Sequence, residues 1–136
     1  LNKYLRAPVH ATKQFYFHVP NGYDGNITAA NLWELSRRLR EVPLDTLLFH
    51  IDRMDFRRWV SDVLHDHELA NRIQKISRRQ LTGEDLRHEL VATVDLRFEE
   101  LQKMVWTHTQ YNALSESEHR LRYVVKEINT RRTPMT

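Results

Sequence analysis

Asn31-Leu32-Trp33-Glu34-Leu35-Ser36-Arg37-Arg38-Leu39-Arg40-Glu41-Val42-Pro43 decides the fold class. Leu32, Leu35, Leu39 and Val42 recur at spacings of three and four, which puts them on one stripe of a helix. Asn31 and Glu34 stand at the capping-box interval, where side chains take up the backbone N–H groups that open a helix. Pro43 lacks the N–H and the conformational freedom to continue, so it stops the helix.

Working outward toward the N-terminus, Phe15-Tyr16-Phe17-His18-Val19 is aromatic and β-branched and reads as a strand. Pro20-Asn21-Gly22 and Asp24-Gly25 mark a turn, with a return through Asn26-Ile27-Thr28 as a short hairpin. Residues 1–14 show no period and read as an arm. On the other side, Asp45 or Thr46 caps a short apolar segment, Leu47-Leu48-Phe49-His50-Ile51, which suits a helix or a buried strand. Asp55 is the expected cap of the next helix, with Met54 and Trp59 as its hydrophobic staple. Phe56, Trp59, Val60 and Val63 share its inner face.

A break near His65-Asp66 precedes a helix carrying Leu69, Ile73 and Ile76, for which Asp66 is a suitable cap. Thr82 is the expected cap of a longer helix bearing Leu86, Leu90, Val94, Leu101 and Val105. That helix is expected to reach Trp106 and to end in the polar run from Thr107 to Asn112. Ser115 and Glu118 repeat the capping-box spacing. Leu121, Val124, Val125 and Ile128 form a last stripe that suits a helix or a strand. The expected fold is mainly α (α+β), a small N-terminal β-hairpin packed on a helical domain of four to six helices. The expected domain covers 15–128, between the arm and a polar tail at 129–136.

The 136 residues fit one compact domain. The chain has no cysteine, which removes disulfides, thiolate metal sites and cysteine nucleophiles. No apolar run approaches a membrane span and no signal-peptide core is present, so a soluble cytoplasmic protein is expected. The opening Leu, where a start Met is expected, suggests a fragment or a trimmed chain. Of the 21 Lys+Arg and 18 Asp+Glu, the first half holds equal numbers, so the +3 excess falls in the second. Arg72, Lys75, Arg78 and Arg79 form a basic patch with no acid between them, and Arg131 and Arg132 add charge to the tail. Only three glycines occur, and there is no Gly-rich phosphate loop, dinucleotide fingerprint or Gly-x-Ser-x-Gly elbow. No cofactor is expected.

The order of several short pieces carries a resemblance. Asn26-Ile27-Thr28-Ala29-Ala30-Asn31-Leu32-Trp33-Glu34-Leu35, Leu39-Arg40-Glu41-Val42-Pro43, Phe49-His50, Arg53, Asp55-Phe56 and Trp59-Val60 follow one another, with Leu69-Ala70 and Leu86-Arg87 later. This set resembles a bacterial and archaeal domain family of unknown function over roughly residues 15–101. The resemblance implies a longer insert between the His segment and Asp-Phe in many members. Here only Asp52-Arg53-Met54 separates Ile51 from Asp55, a departure that bears on any activity tied to the insert. The family implies no reaction.

His50, Arg53 and Asp55 are the candidate ligand-binding residues. On a helix, His50 and Arg53 share a face and could hold a phosphate or carboxylate, His as proton donor and Arg as bidentate clamp. The structural counterpart is a helix cap, a surface ion pair and a buried histidine bonded to a carbonyl. His65 and His67 are the candidate metal ligands, with Asp62 or His18 as a distant third. Without the His-Glu-x-x-His spacing no metal is expected. Phe15, Phe17, Phe56, Trp33 and Trp59 read as core rather than as a stacking platform. Trp106 and Tyr111, at the expected helix end, are the interface candidates.

The expected function is a non-catalytic protein-interaction or regulatory module, with a protein partner or self-association into a homo-oligomer. The alternative is a small ligand-binding domain or enzyme centred on His50, Arg53 and Asp55. A third reading is nucleic-acid binding through the basic 72–79 helix.

Overall fold

The computed structural model describes residues 5–19 and 26–131, with side chains as far as Gln110 apart from that of His108. A short 3₁₀ turn, Ala11–Lys13, leads into β1 (Phe15–Tyr16), which pairs antiparallel with β2 (Thr28–Ala29). Among the described residues five helices follow: α1 (Leu32–Glu41), α2 (Leu44–Asp52), α3 (Asp55–Asp62), α4 (His67–Arg78) and α5 (Gly83–Arg131). The fold is mainly α with a small N-terminal hairpin. The turn expected between the strands lies at residues outside those described, as does the end of the polar tail.

Two compact units divide the chain, Leu1–Gln102 and Lys103–Thr136. The first holds the hairpin, α1 to α4 and the opening turns of α5, and it contains the core. Leu35, Leu39 and Val42 of the α1 region, Leu47 of α2, Phe56 and Val60 of α3, Leu69 and Ile73 of α4, and Leu86, Leu90, Val94 and Leu101 of α5 are buried together. Each such side chain contributes roughly 1.5–3 kcal/mol by leaving water. The described part of the expected arm also packs inward, since Leu5 and Val9 join the core. Its backbone is held there by Val9 N–H donating to Ala30 at 2.8 Å and Trp33 N–H to Leu5 at 3.0 Å.

Local chemistry explains the element boundaries. The Asn31 side chain accepts from the Glu34 N–H at 2.8 Å, and Glu34 reaches back to the Ala30 N–H at 3.0 Å. The reciprocal pair satisfies two opening donors of α1. Leu47-Leu48-Phe49-His50-Ile51 is helical, within α2, and Pro43 rather than Asp45 or Thr46 stands at its N-cap. Proline suits a helix entry because its missing N–H has no intrahelical partner there. Thr46 Oγ1 is buried and without a partner among the described residues.

Two further expectations are corrected. Asp55 is the first residue of α3, not its cap; Met54 takes the N-cap position with φ 63°, in the left-handed region, between the end of α2 and the start of α3. The Asp55 carboxylate is drawn to other partners, described below, and Met54 is too exposed to staple against buried Trp59. Nor does the run from Thr107 to Asn112 end the long helix, because α5 continues to Arg131 and includes Ser115. That run contains neither glycine nor proline, so it weakens the helix without breaking it. Thr109 Oγ1 donates to the Val105 carbonyl at 2.9 Å, satisfying its hydroxyl within the helix.

The described residues of the second unit are the remainder of α5. Met104, Val105 and Trp106 are exposed there. The side chains of Tyr111 and of the stripe Leu121, Val124, Val125 and Ile128 lie outside those described, although the backbone at 121–128 is helical.

Candidate functional site

His50 sits near the end of α2 and is almost fully buried, among Phe15, Phe17 and Phe56, whose ring centroids lie 4.8, 5.8 and 5.4 Å from its own. Its Nε2 lies 2.9 Å from the backbone nitrogen of His18, which can only donate, so Nε2 is the accepting atom. The ring proton is therefore on Nδ1, which donates to Asp55 Oδ2 at 2.8 Å. Both ring nitrogens are thus engaged. Burial, the largest influence, pushes the His50 pKa below its ordinary value, and the hydrogen bond to Asp55 offsets this in part.

Asp55 gathers the cluster. Arg53 Nε approaches its Oδ2 at 3.2 Å, and Arg58 Nη2 donates to Oδ1 at 2.7 Å. Burial would raise the Asp55 carboxyl, but the hydrogen bond from His50 and the charge and hydrogen bond of Arg53 outweigh it and hold the pKa low. Arg53 also lies over the Phe49 ring at 4.8 Å, and the exposed ends of Arg53 and Arg58 reach solvent. The three candidate residues come together as a self-satisfied cluster that joins α2, α3 and the segment that follows β1 at His18. Sequence spacing pointed to His50 and Arg53; Arg58 and the His18 amide complete the group.

The other candidates fall elsewhere. His65 is exposed, with φ 58°, and His67 opens α4, its Nδ1 3.0 Å from Ser61 Oγ. Asp66 between them caps α4, accepting from the Leu69 N–H at 3.0 Å, and is engaged by Arg97 at 2.9 and 3.1 Å. The His18 ring stacks on Phe49 at 4.3 Å. Among the described residues, no group of three or more His, Asp or Glu could hold a metal ion.

The basic patch is partly neutralised by acids that lie outside it. Arg72 pairs with Glu68 at 3.0 Å and with Glu100 of α5 at 2.7 Å, and Arg79 pairs with Glu89 at 3.3 Å. Its bond to Glu100 raises the Arg72 pKa further and lowers that of Glu100. Lys75 and Arg78 remain exposed. The tryptophans divide: Trp59 is buried and donates to the Lys13 carbonyl at 2.7 Å, whereas Trp33 and Trp106 are exposed.

Residues 52–115 match the model of a family of unknown function (DUF5752). That stretch opens at the last residue of α2 and runs through α3 and α4 into α5. It contains Asp55-Phe56, Trp59-Val60, Leu69-Ala70 and Leu86-Arg87, so the resemblance to an uncharacterised domain family stands on those pieces. The hairpin, α1 and His50 precede the matched residues. No curated protein and no solved structure matches the chain. Among the described residues, no helix is long and apolar enough to cross a membrane.

Proposed function

We propose that the chain is a non-catalytic protein-interaction or regulatory module of the cytoplasm, which self-associates through its C-terminal helical segment. The observation that carries this reading is Trp106, 65% exposed beside exposed Met104 and Val105 in α5. A solvated indole with apolar neighbours suits a partner surface, because tryptophan dominates the energetics of buried interface centres. The competing reading, a ligand or catalytic site at His50, Arg53 and Asp55, needs a free ring nitrogen on His50. Both are occupied by structural hydrogen bonds. The nucleic-acid reading loses the free charge of Arg72 and Arg79 to their carboxylate partners.

Sedimentation velocity from low to high micromolar concentration tests the proposal. Concentration-dependent association is expected, and Trp106→Ser weakens it while the circular dichroism spectrum is unchanged. A strict monomer across that range, or association indifferent to Trp106→Ser, overturns the reading.

A further inference from the structure

Most arginines of the first unit have a carboxylate within ion-pair distance, Arg38, Arg40, Arg87 and Arg97 among them. Among the described residues, Arg6, Arg37, Arg57 and Arg78 have none, and the first two of these converge on one place. The Arg6 guanidinium lies 5.8 Å from the Trp33 ring centroid and 5.2 Å from that of Phe98; the Arg37 guanidinium lies 5.2 Å from Trp33. These four side chains border an open cleft of about 220 Å³ between α1 and the first part of α5. Guanidinium faces that stack on rings leave their N–H edges free, and those edges match a carboxylate in bidentate geometry.

The cleft is pre-organised. Arg6 is anchored on both sides of its own peptide unit: Asn31 Nδ2 donates to the Arg6 carbonyl at 2.8 Å, and the Trp33 N–H donates to the Leu5 carbonyl at 3.0 Å. Asp95, which also lines the cleft, is already engaged by Ser36 and Arg40, leaving Glu99 as the lining acid without an ion pair among the described residues. The free guanidiniums therefore outnumber the free carboxylate, and two aromatic rings stand beside them.

We infer that the Arg6–Trp33–Arg37–Phe98 cleft binds an acidic peptide segment of a protein partner, carboxylates on the two guanidiniums and an apolar side chain against the rings. An acidic peptide fits better than a nucleic-acid strand. Continuous phosphate binding needs a basic groove that tracks the backbone, and here Glu99 and Asp95 interrupt it. The cleft is built from residues of the first unit alone, so it extends the interaction reading without using Trp106.

The test is calorimetric titration of the full chain, at low salt, with a blocked Glu-Glu-Phe-Glu-Glu peptide. Saturable binding of one peptide per chain is expected, weakened about tenfold by Arg6→Gln or Arg37→Gln, since each removes a charge-assisted bond. Arg57→Gln, an arginine away from the cleft, and Trp106→Ser bind as the parent does. Arg6→Gln keeps its backbone anchors and Arg37 is exposed, so both variants retain the fold, checked by circular dichroism. No saturable binding, equal binding of Gln-Gln-Phe-Gln-Gln, an equal loss in Arg57→Gln, or equal competition by oligothymidylate overturns the inference.

Discussion

The carboxylate of Asp66 serves two elements at once: it caps α4 through the Leu69 N–H and holds the buried guanidinium of Arg97 from α5 by two bonds. Both side chains are close to fully withdrawn from water, at 3% and 10% exposure. A pair so placed gains little over an apolar substitute, yet each member is costly to leave alone.

Arg97→Met is therefore expected to lower unfolding stability by about 3–5 kcal/mol, because it strands the Asp66 charge. Asp66→Asn keeps a capping oxygen but strands Arg97. The double variant Asp66→Asn with Arg97→Met is expected to be more stable than the sum of the two losses. Urea denaturation of the set checks this; strict additivity would show that the pair is not coupled.

Acid should weaken the fold in two stages. The His50 pKa is held below its unfolded value of 6.5, so the unfolded chain binds the proton first. The stability contributed by neutral His50 is complete above pH 6.5 and is lost as pH falls toward the folded pKa. Asp55 acts later: its contribution is complete above 3.8 and is lost as pH falls through its lowered folded pKa. Denaturation between pH 7.5 and 4.5, within roughly the range where His titrates, should show falling stability. The slope should be smaller in His50→Gln.

Trp59→Phe keeps an aromatic ring but removes the donor to the Lys13 carbonyl. The expected loss is about 1–2 kcal/mol from the hydrogen bond, with a local consequence besides. The 3₁₀ turn Ala11–Lys13 loses its tie to α3, so tryptic cleavage after Lys13 should be faster than in the parent. Unchanged cleavage would refute that link.

Gly83 opens α5 at φ +59°, and a Cβ added there would meet nothing within 4 Å. Gly83→Ala should then cost only the left-handed backbone penalty, about 1–2 kcal/mol, with no packing loss. Gly83→Asn should cost less, since asparagine tolerates this region better. A thermal melt ranking alanine above asparagine contradicts the account.

How far the sequence could be read depended on the range of the interaction. The Asn31–Glu34 box and the Asp66 cap are contacts within one helical turn, and residue spacing is enough to find them. The state of 47–51 stays open in the sequence because four apolar residues and a histidine are too short a run to carry a period. Asp55 misleads as a cap because its partners, His50 and Arg58, are set by how α2 turns into α3. The pairing of Arg72 with Glu100 spans two helices, so a patch that reads as bare charge is partly spent in the fold. The same holds for the cleft: Arg6 lies in a segment without period, and backbone anchoring on Asn31 and Trp33 brings it to the indole.

The hydrogen bond from Ser36 to Asp95 joins positions 59 apart in sequence. During synthesis at ~5–20 residues per second, α1 waits roughly 3–12 s for the strand of chain that covers it. Through that interval the common core lacks the share that α5 supplies, completed only when Leu86, Leu90, Val94 and Leu101 are in place. The nascent chain is thus most exposed to aggregation before residue 95 has emerged, and helper proteins that shield amphipathic helices would act in that window.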